Sequence, residues 1–345
     1  MRSYLLAALP FLVALIPGAT SAHEVYVLDQ ETISRALAAE SPNPFNAYAG
    51  NEYEFFFWAL VSLIVLSTIV FASVFRVYEA RLHPLLAYLK RFALPLVRMT
   101  VGASLISFGA YRSLFGPELP FTQLFGTAGS AVGIVCVAAG TLIVAGIGTR
   151  LIALCMLGVY AFAVYTFGWY AFTYSDHLGS FLVLLILGSG PWSLGVTYNI
   201  ARMPFRLRLL LHRLSPYAFP LMRMLFGFGI MFAALYAKFI HSELALQVVM
   251  QYDLTRYFPF DPLFIVLGAC IIEFLAGLMM FAGVAVRWTG LFLIFWLTLS
   301  LLYFQEAVWP HIILFGLGLA IFCHGYDRWS LEGYLLRHKG REPVL

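Results

Sequence analysis

Leu94-Pro95-Leu96-Val97-Arg98-Met99-Thr100-Val101-Gly102 returns about 125 residues later as Phe219-Pro220-Leu221-Met222-Arg223-Met224-Leu225-Phe226-Gly227. Each copy carries an early proline, an arginine three residues after it and a glycine four residues after that, within an apolar run. Proline is tolerated only in the first turn of a helix, so both stretches read as helix openings. The same spacing pairs Tyr111 with Tyr236 at the far end of that helix. Further on, Gly140…Gly146…Arg150 returns as Gly277…Gly283…Arg287, and Trp192-Ser193-Leu194 as Trp329-Ser330-Leu331. A histidine opens the last apolar run of each copy, His177 and His311. Such an ordered series is an internal duplication. With four helices in each copy, an even number, both copies keep one orientation and form parallel repeats.

Composition sets the medium. Apolar residues make up 62% of the chain, charged residues only 11%, and mean hydropathy is +0.87. A soluble domain carries about 25% charged residues. The apolar runs approach the roughly 20 residues that cross a bilayer as helix, and they lack the apolar–polar alternation of a barrel strand. The expectation is an all-α polytopic membrane protein whose first partner is the lipid bilayer.

Met1-Arg2-Ser3-Tyr4, the apolar 5–16 and the small residues up to Ala22 have the order of a signal peptide, residues 1–22, cut after Ala22. The mature chain then starts at His23 with an extracytoplasmic segment, 23–54. Nine apolar spans follow, near 55–75, 94–114, 125–147, 151–172, 178–195, 218–240, 262–284, 288–304 and 308–324. The first stands alone, the next four make repeat 1 (94–195) and the last four lie in repeat 2 (218–334), followed by a tail at 335–345. Of the 21 Lys and Arg, only Arg35, Arg112, Lys238 and Arg256 fall outside, and Arg2 leaves with the leader. By the positive-inside rule this places the N-terminus outside and the C-terminus in the cytoplasm of a bacterial-type inner membrane. The net charge of +4 is topology charge, and nucleic acid is no partner. Cys136, Cys155, Cys270 and Cys323 all fall within spans, with no metal or redox spacing, and read as buried thiols.

The Arg98/Gly102 and Arg223/Gly227 openings, the Glu273-x-x-x-Gly277…Gly283-x-x-x-Arg287 stretch and the closing Gly190-Pro191-Trp192-Ser193-Leu194 and Asp327-Arg328-Trp329-Ser330-Leu331 resemble the DoxX family of four-helix membrane proteins. The likeness covers residues 94–195 and 218–334. It implies a membrane subunit linked to redox chemistry, quinone among its cofactors and a membrane or soluble redox protein as partner. The subunit is at most part of an oxidoreductase. Fold alone does not fix function, and a non-catalytic anchor or assembly factor, or a transporter of a small solute or metal, stand as alternatives. The copies are unequal: Cys136 stands in repeat 1 where Glu273 stands in repeat 2.

Glu273, near the middle of its span, is the sharpest chemical feature, since an intramembrane carboxylate faces a partner or a wet cavity. Beside a quinone-like ligand it would accept a proton; otherwise it ties helices together. Lys238 and Tyr236, with His311, are the accompanying ligand candidates, and Lys238 reads equally well as a snorkelling anchor. His23, His177 and His241 gather at the outer side, where imidazoles could bind copper or another transition metal. Arg98, Arg150, Arg223 and Arg287 read as topology and headgroup anchors.

Overall fold

Every apolar run from residue 55 onward is helical in the computed structural model, which describes residues 28, 30–48, 51–197 and 204–338. The leader, His23 and residues 339–345 lie outside the described residues. In chain order the helices are α1 (Gln30–Ala38), α2 (Asn51–Lys90), α3 (Ala93–Tyr111), α4 (Gly129–Ala145), α5 (Thr149–Phe167) and α6 (Ser175–Leu187). They continue with α7 (Phe205–Leu214), α8 (Ala218–Leu235), α9 (Ser242–Gln251), α10 (Pro262–Ala282), α11 (Val286–Phe304), α12 (Ile312–His324) and α13 (Leu331–His338). Shorter helical turns fill several connections, and no β-strand occurs among the described residues.

Six helical stretches are long and apolar enough to cross a membrane: Ala93–Tyr111, Phe121–Ala145, Thr149–Leu187, Phe205–Ile240, Pro262–Ala282 and Val286–Phe304. Their outward faces carry exposed Ile134, Val135, Leu151 and Leu302, as a lipid-facing surface requires. The chain is thus an all-helical protein of multi-pass membrane type. The first expected span, 55–75, is part of the 40-residue α2. The helix runs on because residues 76–90 hold strong helix formers and only one proline, Pro84. The connecting segments hold more order than their sequence suggests. α1 packs on α9 through Leu28, Ile33 and Ala36 against Leu244 and Val248.

Close backbone approach fixes the centre. A Cβ on Gly102 would stand 2.5 Å from Val144 Cγ2 and 2.9 Å from the Gly140 carbonyl oxygen, so α3 lies directly on α4. A Cβ on Gly227 would stand 2.5 Å from the Phe281 amide nitrogen and 2.6 Å from the Gly277 carbonyl oxygen, and α8 lies on α10 in the same way. In lipid, where apolar surface alone does not drive helices together, contacts of this kind supply the packing. Two further contacts cross between the halves of the chain. α6 packs on α8, with Gly179 against Met222, and α12 packs on α3, with Gly316 against Thr100.

The four arginines correct the expectation of headgroup anchors. Arg98, Arg223 and Arg287 are buried, and all four point at the carbonyl-rich end of a neighbouring segment, where a helix leaves its last acceptors unsatisfied. Arg98 donates from Nη1 to Ser189 O (2.7 Å) and Pro191 O (3.2 Å), and from Nη2 to Trp192 O (3.0 Å). Arg150 donates to Leu185 O and Ile186 O, closing α6. Arg287 donates to Phe322 O at the end of α12. Arg223 donates to Met280 O and Phe281 O, both at 2.6 Å, and its Nε is 2.8 Å from Asp327 Oδ2. Gly146 and Gly283 end α4 and α10 at φ +75° and +76°, a conformation glycine adopts without strain. A Cβ at either would run into Ser193 or Ser330, the serines of the two Trp-Ser-Leu stretches.

Candidate functional site

α6, α8, α11 and α12, with the 3-10 segments ahead of α6 and α12, surround a cavity of about 130 Å³. Its wall is mostly apolar and aromatic, with Tyr170, Tyr174, Phe226, Tyr236 and Trp296, and it is faced by Asp176, His177, Glu273 and His311. A second cavity of about 520 Å³ lies between α9, α10 and α11, lined by aliphatic and aromatic side chains together with Lys238, Glu273 and Glu306. Glu273, Trp296 and Ser300 border both, so they form the partition between the two spaces.

The partition is polar and tied together. Glu273, on α10, is 2.9 Å from Lys238 Nζ through Oε2 and accepts from Trp296 Nε1 at 3.1 Å through Oε1. α8 does not end cleanly: Tyr236–Ile240 forms a π-helical turn closed by the His241 amide donating to Tyr236 O. Such a turn inserts an extra residue into the helix and is common at functional sites. Here it carries both Tyr236, on the first cavity, and the buried Lys238, on the second. Lys238 is therefore no snorkelling anchor; its ammonium is held inside against a carboxylate.

Each histidine is backed by an acid. His177 is buried, with Nδ1 3.1 Å from Asp176 Oδ1. A carboxylate there holds the proton on Nδ1, which leaves Nε2, without a hydrogen-bond partner among the described residues, as the atom available for a ligand. His311 is equally buried. Its Nδ1 is 3.0 Å from Ala307 O, an acceptor only, so Nδ1 carries a proton there too. His311 Nε2 lies 3.3 Å from Glu306 Oε2, while Glu306 Oε1 accepts from Ser300 Oγ at 2.7 Å. Glu118, outside the cavity lining, accepts from the hydroxyls of Tyr170, at 3.0 Å, and Tyr174. The Tyr170 ring lies 5.3 Å from that of Tyr236, which in turn lies 4.7 Å from the His241 ring.

The structure thus brings Glu273, Tyr236, His311 and His177 onto one cavity and puts Lys238 behind Glu273. It does not assemble the metal set. His177 pairs with Asp176, the His241 ring lies tilted against Tyr236, His23 lies outside the described residues, and no three metal-ligating side chains gather among those described. Sequence reasoning passed over Asp176, Glu306 and Glu118. All three lie at or beyond the ends of the apolar runs, in segments that fold back inward. A signal existed in the acid adjacent to His177 and the acid five residues before His311. No family model, no curated protein and no solved structure matches the chain.

Proposed function

We propose that the protein is a membrane subunit of a quinone-linked redox system and that its first cavity receives the quinone ring. In this reading the chain crosses an inner membrane nine times, N-terminus outside, as one helix followed by two parallel DoxX-like repeats. The two contacts between halves, α6 on α8 and α12 on α3, support that arrangement, because they join the last helix of each repeat to the first helix of the other.

The observation that carries the functional reading is the lining of the first cavity: aromatic rings enclosing two acid-backed histidines and Glu273. A quinone is a flat apolar ring with two carbonyl acceptors, so it calls for aromatic walls and a few placed donors. Its reduction to quinol consumes two electrons and two protons. The electrons come from a redox partner protein. The protons enter at the carbonyl oxygens from His177 Nε2 and from His311, and Asp176 and Glu306 stabilise the imidazolium that forms before each transfer. Glu273, charge-paired with Lys238 behind it, gives the cavity a polar edge against which the ring is oriented.

Lipid extraction of the purified full-length protein, followed by titration with a short-tailed quinone read by tryptophan fluorescence, tests this. Trp296 lines the cavity and reports occupancy. We expect bound quinone in the extract, saturable quenching, and affinity reduced about tenfold or more in His177→Ala, the loss of one hydrogen bond to a ligand oxygen. Quenching that is unsaturable, or unchanged by both His177→Ala and Glu273→Gln, sinks the reading.

A further inference from the structure

The two histidines of the first cavity differ in what lies behind them. Asp176 and His177 both line the first cavity. Glu306 instead lines the second cavity while His311 lines the first, and the two meet across the partition at 3.3 Å. His311 Nε2 and Glu306 Oε2 meet as an ion-pair contact 3.3 Å apart, close enough for a proton to be shared between them. His311 Nδ1 already carries its own proton toward Ala307 O. The shared proton therefore belongs to the pair, as imidazolium with carboxylate or as imidazole with carboxylic acid.

We infer that Glu306 and His311 form a proton passage between the two cavities: His311 releases to a ligand the Nδ1 proton it holds toward Ala307 O and takes its replacement at Nε2 from Glu306, which is reprotonated from the second cavity. The inference rests on the quinone reading of the first cavity and deepens it. Glu306 acts through His311 and is a positioning residue. The cycle balances: the quinone gains two electrons from a one-electron donor in two steps and two protons, one from His177 and one from His311. The second is resupplied through Glu306 while the ring fills the first cavity. Ser300 Oγ donates to Glu306 Oε1 and keeps Oε2 turned toward the imidazole. The other charged groups on the second cavity are Lys238 and Glu273, already bound to each other. Val248, Val249, Val266 and Leu299 add apolar wall, and the hydroxyl-bearing residues of the lining are Ser300, Tyr257 and Tyr303.

The test uses purified full-length protein loaded with decylubiquinone in weakly buffered medium containing a pH-indicating dye. A photoexcited ruthenium complex supplies electrons in a flash, and quinol formation and proton uptake are followed together. Wild type should take up protons in step with quinol formation. Glu306→Gln, which keeps the bond to Ser300 but holds no transferable acid proton, should bind the quinone within about twofold of wild type. Its second-proton uptake should slow by about 10²-fold, the low end for a placed acid–base group. Glu306→Asp should recover part of the rate, and so should small weak acids added to Glu306→Gln, neither of which a packing defect would do. Val249→Trp, which adds bulk to the lining of the second cavity, provides an independent block and should slow the same phase. Uptake at the wild-type rate in Glu306→Gln or in Val249→Trp overturns the passage while leaving the quinone site intact. Absence of quinone binding in wild type overturns the site and the passage together.

Discussion

Arg223 and Asp327 offer a pair whose asymmetry can be worked out in advance. Both side chains are buried, 2% and 6% exposed, with Arg223 Nε 2.8 Å from Asp327 Oδ2. Arg223 has further acceptors in Met280 O and Phe281 O, whereas the Asp327 carboxylate has, among the described residues, only the Trp329 amide, at 2.8 Å, besides the guanidinium. Asp327→Asn therefore leaves the cation with two carbonyls and a polar neighbour, and removes one charge-assisted hydrogen bond, about 1.5–3 kcal/mol. Arg223→Met leaves a buried carboxylate with one amide, the costlier situation at about 3–5 kcal/mol. Combining the two removes the stranded charge, so the double variant should fall short of the sum by about 2 kcal/mol. Denaturation in mixed micelles with increasing dodecyl sulfate, followed by tryptophan fluorescence and helical circular dichroism, measures all three. Equal costs for the single variants, or strict additivity, would refute the argument that Arg223 is held by three acceptors and Asp327 by little else.

Three further expectations use the same unfolding measurement. Gly227→Ala forces a methyl against the Phe281 amide and Gly277 O and should cost about 1–3 kcal/mol, whereas Gly158→Ala, with open space around its Cβ position, should be neutral or slightly stabilising; equal effects would count against backbone contact between α8 and α10. Lys238→Met strands Glu273 and should cost about 3–5 kcal/mol, against about 1.5–3 kcal/mol for Trp296→Phe, which removes a single donor; the reverse order would show that the indole, and not the ammonium, holds the carboxylate. Burial lowers the His241 pKa below the ordinary imidazole value, so its contribution is complete above that value and is lost as pH falls toward the lower one. His241→Phe should accordingly lose less stability than wild type between about pH 8 and about pH 5, and identical pH profiles would remove His241 from the account.

Helix content was legible because it rests on a local signal. Runs of apolar residues with prolines near their starts become α3, α8 and α10 with ends near those expected. The chemistry was legible where a polar residue interrupts such a run, as Glu273 does. It was hidden where a polar residue lies beyond the end of a run, because sequence alone assigns Asp176, Glu118 and Glu306 to water. The 3-10 segments Gly168–Tyr174 and Trp309–His311 explain the difference, since they turn the chain back inward ahead of α6 and α12. The arginines misled for a related reason. A cation at a helix end is an anchor when that end meets lipid headgroups, and a cap when the end of another helix lies beside it. Only tertiary packing decides between the two.

The exchange of contacts between α6 and α8 and between α12 and α3 makes each half of the chain a template for the other. Cut between residues 197 and 204, the halves would each carry a vacant seat shaped for the other's final helix. Fragment complementation should then succeed where either fragment alone is degraded. The first cavity draws His177 from one fragment and Glu273 and His311 from the other, so ligand binding would report reassembly directly.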